Sequence, residues 1–186
     1  VASLLAACVV HALRDDDGSV GITAIDKRAA TGAVGVRKLG LFADVQANRA
    51  HHGGLDKAVY AYAREDADYW EGELGRSLPP GWFGENFRTE GIDVSGARVG
   101  DRWTIGERAN PVVVEVTMPR QPCQTFARWV GGRDARGWVK RFTVAGRPGA
   151  YLRVISTGTV CAGDSITTDL RAGSPTIADI LAGNRA

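Results

Sequence analysis

The apolar residues of this chain come in short runs, and glycine, proline and acidic turn residues separate them. Val9-Val10-His11-Ala12-Leu13 gives way to Arg14-Asp15-Asp16-Asp17-Gly18, and the run Val112–Val116 stops at Met118-Pro119. With 24 glycines in 186 residues, this punctuation fits many short strands joined by turns and excludes a helical bundle. The length suits one domain that buries its core without disulfide or metal staples. No apolar run is long enough to cross a bilayer. The sum predicts a mainly β fold, a closed or partly closed barrel with small helices on its rim. It forms a single domain over residues 1–173, with a short helical tail over 174–186.

The spacing predicts strands at Ser3–Leu13, Gly21–Ile25, Val34–Val36, Asp56–Tyr62, Asn86–Thr89, Arg102–Ile105, Val112–Thr117, Ala150–Ile155 and Ser165–Asp169. Arg64–Leu74 reads as the best helix. Ala67, Trp70 and Leu74 share one face, carboxylates open it, and Gly75 suits its end. Further helical patches are expected at 124–129 and 137–142. Ser174 as cap and Pro175 in the first turn open a last short helix.

Lys and Arg number 23 against 21 Asp and Glu, a formal net charge of +2, which argues against a protein that grips a nucleic-acid polymer. The three cysteines, Cys8, Cys123 and Cys161, form no CxxC pair and no even framework, so a reducing, cytoplasmic setting is expected. Leu5-Ala6-Ala7-Cys8 superficially matches a lipoprotein cleavage site. The first strand is the favoured reading, with no membrane attachment. The Asp15-Asp16-Asp17 cluster reads as a loop tip, not a metal site.

Four segments carry chemistry-bearing residues. In His51-His52-Gly53-Gly54-Leu55-Asp56-Lys57, two glycines allow a close backbone approach and Lys57 can meet an anion. The same letters also describe a hairpin loop with a solvated lysine. In Gly84-Glu85-Asn86-Phe87, Asn86 offers donors and acceptors, or simply bonds a turn. In Pro119-Arg120-Gln121-Pro122-Cys123, prolines orient a cysteine beside a cation; a thiolate is a soft ligand and a nucleophile. Cys123 as a small buried hydrophobe is the competing reading, and Cys8 and Cys161 read as inert packing. Lys140, Arg141, Arg147 and Arg153 cluster around glycines and suit a phosphate-bearing ligand, or a solvated basic loop with Arg153 on the outer face of a strand.

Taken together and in order, HHGGLDKAVYAY, FGEN, PRQPC and RPGAYLRV resemble the MOSC domain, the C-terminal domain of molybdenum-cofactor sulfurases. The resemblance runs from about Ile25 to Ile166 and is strongest to the stand-alone bacterial branch that includes the hydroxylaminopurine-resistance protein. It implies a MOSC-type β-barrel that binds a pyranopterin molybdenum cofactor and reduces small N-hydroxylated compounds, with electrons from a separate flavin or iron–sulfur protein. It implies Cys123 as the protein ligand to molybdenum. It places Asn86 at the cofactor, with Lys57, Arg120 and Arg153 in the same pocket. His52 and Glu85 are the expected proton-handling residues. The family also carries an alternative role, a non-catalytic cofactor or sulfur carrier working through a Cys123 persulfide. Pyridoxal phosphate appears in family descriptions, but nothing marks Lys57 as a Schiff-base lysine. Three positions depart from the family pattern: Ala43-Asp44 where Gly-Asp is usual, Asn48 where Asp is frequent, and Phe87 where Leu is usual.

Overall fold

The computed structural model describes residues 1–18, 20–47, 53–107, 109–132 and 136–183. Eleven strands are described: β1 (Ser3–Asp15), β2 (Ile22–Ala29), β3 (Val34–Arg37), β4 (Gly40–Leu41), β5 (Val59–Ala63), β6 (Phe87–Glu90), β7 (Arg102–Ile105), β8 (Val112–Pro119), β9 (Ala150–Ser156), β10 (Gly158–Val160) and β11 (Ile166–Asp169). Eight of them form one sheet in the order β11-β7-β8-β9-β5-β6-β1-β2, and β10-β3-β4 form a second. The named pairs are antiparallel except β5–β6. A parallel pair needs a crossover; helix α1 (Arg64–Leu74) lies within it.

The large sheet does not close through a continuous ladder, so the fold is mainly β as expected and, of the closed or partly closed barrel, it takes the partly closed form. It curls until its ends touch: Ser3 bridges Ser165, and the Ile166 N–H donates to the Ala2 carbonyl at 2.9 Å. Strand β1 is the joint. Its first residues pair with β6 and its later ones with β2, with register shifts at Leu4/Ala6, Val10/Ala12 and Ala12/Arg14. Such bulges bend a strand and re-aim it. The β1–β2 arm thus begins where pairing with β6 ends.

Side-chain alternation divides the interior in two. On β5, Val59, Ala61 and Ala63 point into the barrel with Phe87, Trp103, Val114 and Leu152. Tyr60 and Tyr62 point the other way, into a second core with Trp70, Phe83, Phe126, Trp138 and Phe142. Helix α1, the helical turn α2 (Gln124–Phe126) and α3 (Trp138–Ala145) pack on that second core. The chain after α2 continues as a π-wound segment over Ala127–Gly131. Gly75 ends α1 in the left-handed conformation, φ 63°, with its N–H on the Glu71 carbonyl.

Some expectations shift. The strand expected over Asp56–Tyr62 begins only at Val59; Leu55–Lys57 form a 3-10 turn instead. The last helix, α4 (Ile177–Gly183), is capped by Thr176, not Ser174. The Asp179 N–H donates to Thr176 Oγ1 at 3.1 Å, and the Thr176 N–H donates back to Asp179 Oδ2 at 3.3 Å. Ile177 and Leu181 bury α4 against the barrel. Among the described residues no helix is long and apolar enough to cross a membrane.

Ala43 has a positive φ of 67°, the one non-glycine residue so placed among those described. The left-handed region costs an L-residue about 1–2 kcal/mol, and glycine gives back roughly half to one of these in chain entropy. Ala43→Gly should therefore raise stability by about 0.5–1 kcal/mol, read as a rightward shift of the urea midpoint with unchanged slope. A lowered midpoint would refute the strain.

Candidate functional site

A cavity of about 320 Å³ lies between the β1–β2 arm, the second core and the turn before α2. That volume is at the small end for ligand pockets. Asp16, Gly18, Val20, Ile22, Ala24 and Ile25 line it from the arm, and Arg120, Cys123 and Thr125 from the opposite side. Lys27, Lys57, Asn86, Tyr60 and Tyr151 complete the part that carries chemistry.

The cysteine is placed by the end of β8. Pro119 closes that strand, and Cys123 opens α2 in extended conformation, with Sγ accepting from the Phe126 N–H at 3.5 Å. It is a free, half-buried thiol. Cys8 differs: it is fully buried, and burial foremost pushes its thiol far above the usual range. Cys123 is thus the cysteine that lines the cavity.

Arg120 is 6% exposed. Its Nη1 donates to the Phe83 carbonyl at 3.0 Å, and its guanidinium sits 3.7 Å from the Phe126 ring centre and 5.2 Å from that of Tyr60. Among the described residues no carboxylate pairs with it, and its buried Nε has no hydrogen-bond partner. A desolvated cation with an orphaned N–H is costly unless an anionic ligand meets it. Lys57 joins it from the 3-10 turn, with Nζ 5.9 Å from the Tyr151 ring centre. Gly53, at φ 101°, allows the Gln46 side chain to press on the backbone there: a Cβ would lie 1.9 Å from Gln46 Oε1.

Asn86 lines the cavity with its polar atoms already engaged. Oδ1 accepts from the Tyr60 N–H at 3.2 Å, and Nδ2 donates to Asp44 Oδ2 at 2.8 Å and to the Cys8 carbonyl at 3.2 Å. Asp44 also takes the Val10 N–H and Lys27 Nζ, at 2.9 and 2.5 Å. The Asn86–Asp44–Lys27 network thus ties β1, β2, β5 and the turn after β4 into one cavity wall.

The remaining expected site residues lie elsewhere. Glu85 is fully buried and does not line the cavity. Its Oε1 accepts from the Gly81 N–H and Arg88 Nε, and its Oε2 from the Phe83 N–H. Arg153 sits on the same face of β9 as Tyr151 but two residues further along. There Asp56 and Glu115 hold its guanidinium at 2.6 and 3.3 Å. His52, with His51 and Asn48, lies outside the described residues.

Asp16 is the lining residue that the sequence reading treated only as a loop tip. It accepts from Thr125 Oγ1 at 2.8 Å and Arg128 Nη2 at 2.6 Å. Burial opposes its ionisation, but hydrogen bonds from Arg128, Thr125 and the Gly18 N–H outweigh that and hold the carboxyl below its usual range.

The mainly β scaffold presents one cysteine and several cations at a single cavity. The chain belongs to the MOSC domain family, whose model matches residues 48–167. It is 35% identical over 150 residues to YflK of Bacillus subtilis, a match covering 81% of this chain and 65% of that one. It is 31% identical over 169 residues to a protein of Gibberella moniliformis named reductase, covering 85% of this chain and 28% of that one. The crystal structure of YiiM from Geobacillus stearothermophilus superposes with a TM-score of 0.74 at 27% identity, covering 97% of this chain and 82% of that one. The chain therefore spans less than two thirds of the length of either of these two curated relatives.

Proposed function

We propose that this MOSC domain binds a molybdenum–pyranopterin cofactor through Cys123 and serves reduction of small N-hydroxylated compounds. The observation that carries the reading is the pairing of an accessible soft donor with a buried, carboxylate-free guanidinium in one cavity: Cys123 and Arg120. That donor set fits an anionic cofactor bearing a soft metal. Cys123 would ligate the metal, and Arg120 and Lys57 would meet the anionic groups. When bound, the cofactor would supply two-electron redox chemistry at an N–O bond. The protein's own part is to orient. The prolines around Arg120 stiffen the approach to Cys123, the Phe126 N–H holds Sγ, and the apolar arm residues Val20, Ile22 and Ile25 shield one side from water. Electrons would come from a separate flavin or iron–sulfur protein. The Gibberella relative named reductase supports reductive chemistry for this fold.

The test is metal and pterin analysis of the chain purified from a host that makes the cofactor, beside Cys123→Ser. Near-stoichiometric molybdenum in the parent and a loss of more than about 100-fold in affinity in the variant is the expected result, since even outer-shell changes at metal sites cost about 10–100-fold. Cofactor retention without turnover, given a chemical reductant and N-hydroxylated bases, would move the reading to a carrier. Absence of molybdenum and pterin from the parent would overturn it.

A further inference from the structure

We infer that Asp16 is a positioning residue: it latches the β1–β2 arm to the turn that carries Cys123, and so sets what size of molecule reaches the thiol.

The latch joins opposite walls of the cavity. Asp16 and Gly18 line it from the arm, Cys123 and Thr125 from the other side. Asp16 Oδ2 accepts from Thr125 Oγ1, two residues past the cysteine, while Oδ1 accepts from Arg128 Nη2. These bonds cross 109 and 112 residues of sequence. Asp16 Oδ2 also takes the Gly18 N–H at 3.0 Å, which shapes the arm's tip around the same carboxylate. The Asp16 side chain is 10% exposed, so its two bonds to the α2 region are sheltered from solvent competition. Asp16 is the one carboxylate that pairs with Arg128 among the described residues.

Among the described residues, the arm's tip is otherwise lightly held. Val20 and Ile22 there are 43% and 42% exposed. The arm's base is anchored by Lys27 on Asp44 and by Ile25 in the second core, while Arg14 on Asp26 ties its two strands together. Release of Asp16 would let the tip swing about that base and widen the cavity mouth over Cys123. The inference holds whatever ligand the cavity takes.

The experiment uses the full chain with Cys161→Ser, purified from a host that makes no molybdenum cofactor. Alkylation of Cys123 is timed with iodoacetamide and with a maleimide carrying a bulky dye. Parent, Asp16→Asn, Arg128→Gln and the double variant are compared. In each variant the bulky reagent should react about tenfold faster, the scale of one charge-assisted hydrogen bond lost. Iodoacetamide should change by less than about twofold, and the double variant should not exceed the singles. Arg128 is partly exposed, so Arg128→Gln tests the latch even if Asp16→Asn folds poorly. Parallel acceleration of both reagents would mean general loosening and would overturn the inference, as would no change in either.

Discussion

Replacing Glu85 with Ala should cost the fold about 3–5 kcal/mol, the scale for breaking a buried ion pair. Glu85 and Arg88 are 0% and 2% exposed and lie 2.5 Å apart. The substitution strands the Arg88 guanidinium in the interior and orphans the N–H groups of Gly81 and Phe83. Against a typical total stability of about 5–15 kcal/mol, that is a large fraction. Arg88 keeps only long bonds to the Leu78 and Pro79 carbonyls, at 3.4 and 3.3 Å. Glu85→Ala with Arg88→Met should recover only part of the loss, because no unpaired charge then remains buried but the Gly81 and Phe83 N–H groups stay without acceptors. Chemical denaturation of the three variants reads this directly; a loss below about 1 kcal/mol in the single variant would sink the argument.

Arg120→Met is expected to act in the opposite sense on stability and ligand. It removes a buried cation that no described carboxylate balances, so the ligand-free fold should be at least as stable, by up to about 1 kcal/mol, despite the lost bond to the Phe83 carbonyl. Binding of an anionic ligand should weaken by about 10-fold or more, one lost charge-assisted contact. Thermal melts with and without ligand separate the two: the parent should gain far more from ligand than the variant does. Equal ligand-induced shifts would show that Arg120 meets no anion. The two predictions are connected through Phe83, whose N–H is held by Glu85 and whose carbonyl holds Arg120.

The strands with clean alternation were legible in the sequence because side-chain parity is a local property. Val112, Val114 and Val116 of β8 point inward and Val113, Glu115 and Thr117 outward, as their order suggests. Strands β4 and β10, two and three residues long, escaped for different reasons: β4 is the short return of a tight hairpin with β3, too brief to show alternation, and β10 is defined by pairing with β3 far back along the chain. At the site, Cys123, Lys57, Arg120 and Asn86 stood out by residue type beside proline and glycine, and all four line the cavity. Arg153 stood out for the same reason, yet its guanidinium is taken by Asp56 and Glu115 outside the cavity. A cation-rich segment gives composition, not how far along a strand the cavity reaches or which carboxylates wait there. Asp16 was illegible because its role exists only in contact with Thr125 and Arg128, more than a hundred residues away.

Strand β1 belongs to two structures at once: its first half helps close the barrel and its second half forms the arm over the cavity. The changeover falls between Ala7, the last residue paired with β6, and Cys8, the first paired with β2, and register shifts lie on both sides of it. Adding or deleting a residue in the arm would invert which side chains face the cavity while leaving the barrel half in register. A change of length would therefore be accepted best at the arm's tip, where loops tolerate it. A longer tip would alter the cavity's reach while the barrel's own assembly stayed untouched.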